Sequence, residues 1–351
     1  MPGEGGKRLQ GTGLLNIAGE KIEHSGTLGH PIEFFQAGDC HLPFIYDKMW
    51  DVTKYERRFA MRRLKPVHPP HKPWMPGAFL AKHRFFRRLP PFRAAAELNL
   101  KEYAVSSAKL PDAFDGLRIA YASDIHYGVL LDETRVRDLA ERLNALDPDV
   151  LLLGGDYGED TSQALAFWKI VPELHAKLAV CAVLGNHDRA EGPAEPFCTA
   201  MKERGVTPLI NSALTLTRNG RTLALCSTDD FNHGTPDFAG VAAQVRNSDF
   251  VLYAPHSPDA LPHAFDVAAP PFFDLAVCGH THGGQIAFFG IAPHTASRYG
   301  FFYGNRFNSG MKTEKGVPII ISNGVGTSWL SIRFGAPAQY HLITLKSSGK
   351  E

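Results

Sequence analysis

The pattern of apolar and polar positions becomes regular near Leu117. From there, short apolar and β-branched runs alternate with segments whose apolar residues recur every three or four positions. Short apolar runs bounded by turn residues predict buried strands, and recurrence at three and four predicts amphipathic helices. Strands alternating with helices predict an α/β fold in which helices cover the sheets. The predicted strands are 117–124, 150–156, 179–186, 222–230, 250–256, 275–282 and 318–326, and the predicted helices are 133–146, 161–174 and 193–205.

Residues 1–108 have a different pattern, rich in proline and in basic and aromatic residues. Between Lys54 and Arg93 there are twelve Lys and Arg residues and one acid, Glu56, so this segment has a net charge of +11 and the rest of the chain −10. Three interpretations are open: an arm lying on the acidic remainder of the chain, a surface for anionic lipid, and a surface for nucleic acid. We expect an N-terminal extension over 1–108 and a second domain over 109–347.

The composition indicates a globular protein of a reducing compartment. The chain has 351 residues, 44% of them apolar, and a net charge of +1, which is enough apolar sequence for a sizeable core. Five cysteines without a CxxC pair favour a reducing compartment. No apolar run matches a signal peptide or the roughly 18 residues of a membrane span. These features predict a cytoplasmic protein, with attachment to the inner face of the membrane as an alternative.

Polar residues stand at the carboxyl ends of five of the predicted strands. Because the carboxyl ends of strands in an open α/β sheet line the ligand crevice, we expect these side chains to meet at one rim. Residues i and i+2 of a strand point to the same side, so the paired residues would converge. The strand-end residues are Asp124 and His126, Asp156, Asn186 with His187 and Asp188, His256, and His280 and His282.

This mixture of carboxylate, carboxamide and imidazole groups is typical of a metal site. Such ligands suit Mn, Fe or Zn ions, and seven of them exceed the need of a single four-coordinate ion. Two divalent ions sharing a carboxylate would clamp both oxygens of a phosphoryl displacement, and a bridging hydroxide would be the nucleophile. A single histidine at a strand end is usually a surface hydrogen-bonding residue. Five strand ends that all carry ligand-type residues, together with the "GHTHGG" stretch, argue against coincidence.

The motifs "SDIH", "GGDYGE", "GNHD", "APHSPD" and "GHTHGGQ" occur in the order found in the calcineurin-like metallophosphoesterases, which the chain resembles over 105–347. The tail "SNGVGTSWLSIRFGAPAQYHLITL" resembles the bacterial YkuE/YaeI-like branch. The resemblance implies a four-layer α/β/β/α sandwich with a basic, Pro-rich N-terminal extension. It also implies residue roles: a first metal at Asp124, His126 and His282, a second at Asn186, His256 and His280, and a bridging Asp156.

The resemblance assigns His187 to catalysis rather than to metal binding. This histidine would protonate the leaving oxygen or stabilise the transition state, with Asp188 or another acid as its partner. The position three residues after Asp156 is usually Asp in the family and is Glu159 here. Glu159 would therefore act on the metal site only indirectly.

The resemblance implies a metal-dependent phosphoester hydrolase, and several substrates remain open. A phosphodiesterase or pyrophosphatase acting on a lipid-linked or nucleotide-linked substrate, as in UDP-2,3-diacylglucosamine hydrolysis, is favoured. A broad phosphomonoesterase and a nuclease are alternatives, and a scaffold without activity is disfavoured because every ligand position is filled. Nucleic acid is not expected as a partner. The apolar stretches "AFFGI" (287–291) and "RYGFFYG" (298–304) are interpreted as core, with an acyl-binding groove as the alternative.

Overall fold

The structure is a computed structural model that describes residues 88–128, 130–289, 291–292, 306–328 and 330–349. The strands in these residues form two six-stranded sheets, ordered β1-β12-β2-β3-β4-β5 and β10-β11-β9-β8-β7-β6. The strands are β1 (Asn99–Ser107), β2 (Arg118–Ala122), β3 (Val150–Leu153), β4 (Ala179–Ala182), β5 (Thr207–Pro208), β6 (Ser212–Arg218), β7 (Arg221–Ser227), β8 (Phe250–Tyr253), β9 (Leu275–Cys278), β10 (Gly310–Glu314), β11 (Val317–Ile321) and β12 (Gln339–Ser347).

Seven α-helices lie within the described residues, together with short 3-10 turns. The predicted helix at 161–174 exists but ends at Ile170, before Pro172. Its N-cap is Asp160, whose carboxylate accepts the Gln163 N–H at 2.8 Å. The helices are α1 (Pro90–Ala96), α2 (Glu133–Ala145), α3 (Thr161–Ile170), α4 (Asn186–Arg189), α5 (Glu195–Glu203), α6 (Phe238–Val245) and α7 (Leu261–Asp266).

Three apolar cores separate four layers. The first core lies between α2, α3 and α5 and one face of the sheet that contains β12 and β1 to β5. Leu139, Phe167 and Phe197 belong to this core. The second lies between the two sheets, and the third joins the other sheet to α6 and α7. Burial of these three interfaces removes apolar surface from water and holds the layers together. The predicted α/β/β/α sandwich is confirmed.

The seven predicted strands are present, but those that precede the polar motifs end before them. β2, β3 and β4 are parallel neighbours, as are β7, β8 and β9, so the carboxyl ends within each group share an edge. Strands β1, β5, β6, β10 and β12 were not predicted. β1 lies before residue 109 and pairs with β12 in parallel, from Asn99 with Gln339 onward. The proposed division at 108/109 stays a prediction, because residues 1–87 lie outside the described part.

The other predictions about the N-terminal region also stay predictions. The basic segment 54–93 is described only from Arg88 onward. Among the residues that the structure describes, no helix combines the length and the apolar character needed to cross a bilayer.

Candidate metal centre

The strand-end residues adopt an unusual backbone conformation. Five of the seven predicted ligands have positive φ angles, a region that residues other than glycine seldom occupy. The expectation that paired residues converge because they lie at i and i+2 of a strand was therefore wrong, since these residues follow the strands. Such conformations typically cost about 1–3 kcal/mol each and concentrate at functional sites. The φ angles are 54° at Asp124, 46° at His126, 56° at Asp156, 70° at His280 and 53° at His282.

Asp124, His126 and His282 form the first group of candidate ligands. Their ligand atoms lie within 4.8 Å of one another, and all three residues are buried. The His126 Nε2 and His282 Nε2 atoms are 3.1 Å apart, and the Asp124 Oδ1 atom is 3.6 Å from His282 Nε2. Asp124 is fixed in place because its carboxylate accepts the Ser123 hydroxyl at 2.6 Å and the His280 N–H at 2.8 Å.

Asp156, His256, His280 and Asn186 form the second group. The His256 Nε2 atom lies 3.2 Å from Asp156 Oδ2, and the His280 Nδ1 atom faces Asn186 Oδ1 at 2.7 Å. The His256 Nδ1 atom lies 2.7 Å from the Gly154 carbonyl oxygen. A carbonyl can only accept, so it holds a proton on Nδ1 and leaves Nε2 free to bind a metal when the ring is neutral.

The spacing of these atoms fits two ions. Two ligand atoms, nitrogen or oxygen, about 2.1 Å from one ion and at about 90–110° to each other would lie about 3.0–3.4 Å apart. The 3.1 Å and 3.2 Å separations fall in that range. One oxygen, Asp156 Oδ2, lies 3.7 Å from His126 Nε2 in the first group and 3.2 Å from His256 Nε2 in the second. This donor set matches the two divalent ions that metallophosphoesterases use, and their identity is left open.

Glycines allow these groups to approach one another. A Cβ atom on Gly185 would collide with the Asp156 carboxylate, and one on Gly279 would collide with the side chains of Asp124 and Ser123. Both glycines precede a predicted ligand in the sequence. The lack of a side chain therefore lets the loop after β4 approach the loop after β3 in one sheet, and lets the loop after β9 approach the loop after β2 of the other sheet.

The carboxylates dominate the electrostatics of the metal-free site. Burial alone would lower the pKa of His126, but Glu159, Asp156 and Asp124 outweigh it and raise that pKa to about 9. Burial is also the largest single effect on the pKa of His256 and lowers it, but Asp156, Asp124 and Asp230 together outweigh burial and raise that pKa to about 10. Both rings are therefore protonated at pH 7 in the absence of metal, and the Asp156 pKa is held well below its usual range.

Metal loading should consequently release protons. A metal binds the neutral imidazole, so loading at pH 7 has to displace about two protons, one each from His126 and His256. The number should fall as the pH rises through 9 and 10, and the apparent metal affinity should rise over the same range. Isothermal titration with Mn²⁺ in buffers of different ionisation enthalpy measures the number of protons released. A heat independent of buffer at pH 7 would contradict the prediction.

Glu159 contacts His126 through its side-chain carboxylate and His187 through its main-chain carbonyl oxygen. Its Oε1 atom lies 3.0 Å from His126 Nδ1, a charge contact that is not aligned as a hydrogen bond. Its main-chain carbonyl oxygen lies 2.9 Å from His187 Nδ1. The substitution of Glu for the family's usual Asp is therefore accommodated: the longer side chain still reaches a candidate ligand.

Removal of the Glu159 carboxylate should weaken the first metal position. Groups that orient a metal-ligating histidine typically contribute about 10–100-fold to metal affinity, so Glu159→Gln should lose affinity in that range. Competition with a chelator measures it. Glu133→Gln, on the exposed face of α2, is the matched control and should change nothing. Equal affinities for Glu159→Gln and the unaltered protein would leave Glu159 without this role.

Asp188 does not contact the His187 ring in the described structure. Its carboxylate instead accepts the N–H groups of Asp156, Tyr157 and Gly185, at 2.8, 2.9 and 2.8 Å. Asp188 thus ties the loop after β3 to the loop after β4. Burial and the nearby Asp156 carboxylate raise its pKa in spite of these donors. The acceptor for the His187 ring is the Glu159 carbonyl oxygen.

Two residues near the site were missed from the sequence. The Arg333 side chain is fully buried, its Nη2 atom lies 3.2 Å from His282 Nδ1, and its Nη1–H donates to the His282 carbonyl oxygen at 3.0 Å. Asp230 follows β7, and burial raises its pKa to about 6. A pair of acids after a strand could have signalled Asp230. A lone arginine 51 residues beyond His282 carries no local signal.

Comparison with known proteins agrees with this site. Residues 117–284 match the family model described as calcineurin-like phosphoesterase, a span that contains all seven candidate ligands. The metallophosphoesterase YkuE of Bacillus subtilis is 27% identical over 251 residues, covering 70% of this chain and 85% of that protein. The phosphodiesterase YaeI of Escherichia coli is 28% identical over 216 residues, covering 60% of this chain and 75% of that protein.

A solved dimetal phosphatase from Danio rerio aligns over 60% of this chain and 88% of its own, with 10% identity and a TM-score of 0.37. The family match, the relatives and the metal-ligand clusters lead to one conclusion. The chain carries a calcineurin-like phosphoesterase domain, and the protein is a metal-dependent phosphoester hydrolase.

Proposed function

We propose that the protein hydrolyses a phosphodiester or pyrophosphate at a centre of two metals that share Asp156. The observation that supports this most directly is the position of Asp156 Oδ2, within 3.7 Å of a ring nitrogen in each ligand group. Asp124, His126 and His282 would hold the first ion, and Asn186, His256 and His280 the second. When bound, the ions polarise the phosphoryl oxygens and supply a nucleophile at neutral pH.

In this proposal the remaining residues orient groups and move protons. The Glu159 carboxylate holds the His126 ring, and the Gly154 carbonyl holds the His256 ring. Asp188 fixes the backbone on which Asp156 is carried. Each contact reduces the freedom of a ligand before substrate arrives, which is how preorganised sites gain rate.

His187 is proposed as the general acid. Its main-chain N–H donates to Asp156 Oδ1 at 2.9 Å, which places the ring beside the shared carboxylate. The Glu159 carbonyl oxygen accepts from Nδ1–H, so the proton available for transfer is the one on Nε2. His187 is half-buried, whereas His126 is fully enclosed, and this exposure gives Nε2 access to a substrate oxygen.

The favoured substrate class is a lipid-linked or nucleotide-linked diester or pyrophosphate, such as a UDP-linked diacylated sugar. The relative YaeI is named a phosphodiesterase, which supports diester chemistry. A broad phosphomonoesterase and a nuclease remain the alternatives. A hydrolysis screen with Mn²⁺ separates them, using p-nitrophenyl phosphate, its bis-ester, a UDP-linked acyl sugar and single-stranded DNA. The proposal fails if the monoester or DNA is turned over while both diester substrates are not.

We further propose that the protein works on the inner face of the membrane, through its basic segment 54–93. Each basic side chain near an anionic leaflet contributes about 1 kcal/mol, within a Debye length of the surface. Replacing Arg84, Arg87 and Arg88 by Glu should therefore remove the salt-sensitive part of the binding to phosphatidylglycerol vesicles and leave hydrolysis of a soluble ester intact. Co-sedimentation at two salt concentrations tests this. Absence of binding by the unaltered protein at low salt would make the segment an internal arm.

A further inference from the structure

Four large apolar side chains project into solvent beside the metal centre. Three of them, Phe288, Phe289 and Ile291, belong to one turn, and the fourth, Phe334, lies in the neighbouring strand-like segment. We call these four residues the apolar tip. The "AFFGI" stretch was interpreted as core, and the structure contradicts that interpretation for three of its residues, because they lie outside the core. The exposed fractions are 52% for Phe288, 105% for Phe289, 64% for Ile291 and 44% for Phe334.

The backbone holds the tip in this exposed position. Phe288 and Ile291 exchange two hydrogen bonds, each 2.9 Å long. The Ala287 N–H donates to the Phe334 carbonyl oxygen at 2.7 Å, and the Phe288 and Phe334 rings lie 4.9 Å apart. Phe289 has a φ of 52°, which is rare for a bulky residue. A strained, fully exposed aromatic residue in a well-bonded turn points to an interaction surface rather than to failed packing.

The tip is connected to the metal centre through short stretches of chain. Gln285, three residues after the candidate ligand His282, accepts the Phe334 N–H at 2.9 Å through its carbonyl oxygen. Arg333, next to Phe334, contacts both the ring and the carbonyl of His282. A surface that engages the tip would therefore lie at the rim of the site.

The basic segment enters the described structure at the same place. The Arg333 N–H donates at 2.9 Å to the carbonyl oxygen of Pro91, in the first turn of α1. Arg88 and Leu89, immediately before α1, are both exposed. The preceding residues, 54–87, contain ten Lys and Arg residues and one acid. The described end of the basic segment, residues 88–93, is thus hydrogen-bonded to the chain next to Phe334.

We infer that the apolar tip inserts into the interfacial region of an anionic membrane, with the metal centre facing the headgroups. An exposed apolar surface on a chain whose residues 54–88 have a net charge of +10 matches such a membrane in both polarity and charge, whereas a neutral protein partner would leave that charge unmatched. The inference rests on the proposed function, and it specifies that function: the phosphoester of a lipid-linked substrate would reach the metals at headgroup depth.

Vesicle binding by a double variant, Phe289→Asp with Ile291→Asp, tests the inference. The matched control is Leu178→Asp, which is 42% exposed and precedes β4, at the opposite end of the sheet from the metal ligands. Each metal-loaded full-length protein is sedimented with vesicles of phosphatidylcholine and phosphatidylglycerol at low and high salt. We expect the double variant to bind at least about tenfold more weakly, because two large apolar side chains no longer leave water.

The salt dependence of vesicle binding distinguishes the contribution of the apolar tip from that of the basic segment. Apolar insertion is not screened, so the unaltered protein should keep residual binding at high salt that the double variant lacks. The Leu178→Asp protein should bind as the unaltered protein does. Equal binding by the double variant, or equal loss in the Leu178→Asp control, would overturn the inference. So would a shift in sedimentation coefficient or unfolding midpoint confined to the double variant, with no change in vesicle binding, since the tip would then be covered by this chain or a second copy.

Hydrolysis of the soluble bis-ester by the unaltered protein tests the proposed activity independently of membrane binding. If the protein hydrolyses the bis-ester but binds no vesicle, the membrane inference is wrong and the proposed activity stands. If it binds vesicles through the tip but hydrolyses no diester, the proposed activity is wrong and the surface stands.

Discussion

Replacing Asp156 by Asn should remove both metals and reduce hydrolysis by more than about 10²-fold, which is the upper end of the loss seen for residues that only orient a ligand. Asp156 is buried and supplies the one oxygen near both ligand groups. Asn has the same size but no negative charge, and its amide nitrogen, if turned toward His256, would present hydrogens where a metal needs a lone pair. The protonated His126 and His256 rings of the metal-free site would also lose their shared counter-charge.

Metal analysis and the kcat/KM for the bis-ester together measure this effect. The unaltered protein, purified without chelator, should carry close to two metal equivalents per chain. Asp138→Asn is the matched control, because Asp138 pairs only with Arg142 on the exposed face of α2 and such pairs contribute little. Retention of both metals and full activity by Asp156→Asn would remove the shared carboxylate from the proposal, and with it the two-metal mechanism.

The identity of the candidate ligands could be predicted from the sequence, since each follows an apolar strand and carries a metal-binding group. The physical reason for their convergence could not. The positive φ angles at Asp124 and His280 reflect contacts such as the His280 N–H donating to Asp124 Oδ1, between residues 156 positions apart. Periodicity describes neighbours along the chain, and a loop held by a distant carboxylate leaves no periodic trace.

Strand β12, which lies one position in from the edge of its sheet, was missed for a related reason. β12 pairs with β1 in parallel and with β2 antiparallel, so both of its edges are satisfied by strands from the far end of the sequence. The connection of Arg333 to His282 likewise depends on tertiary packing. The exposed Phe289 shows the opposite error: an apolar run was interpreted as core, although its hydrogen-bonded turn displays it to solvent. Apolar composition predicts burial on average, and it fails where a surface has a binding role.

His187→Ala should lower kcat by about 10²–10⁴-fold, the usual contribution of a positioned proton donor, while both metals remain bound. The ring lies within reach of His126 and Asp156, with all three ligand atoms inside 4.8 Å, so geometry alone would also allow it to bind metal. The contact of its Nδ1 atom with the Glu159 carbonyl oxygen fixes the ring with Nδ1 occupied and leaves Nε2 for either role: a lone pair for a metal, or a proton to transfer when the ring is an imidazolium. Metal content after substitution therefore separates the two roles.

The leaving group provides the second test of His187. A proton donor helps most when the departing oxygen is strongly basic, so the loss in His187→Ala should shrink for esters of acidic phenols and grow for alkyl esters. A plot of log kcat against leaving-group pKa should accordingly be steeper for the variant than for the unaltered protein. Parallel plots with metals retained would mean that His187 stabilises charge in the transition state without transferring a proton. Loss of one metal equivalent would instead make His187 a ligand, and the proton would then have to come from another group at the rim.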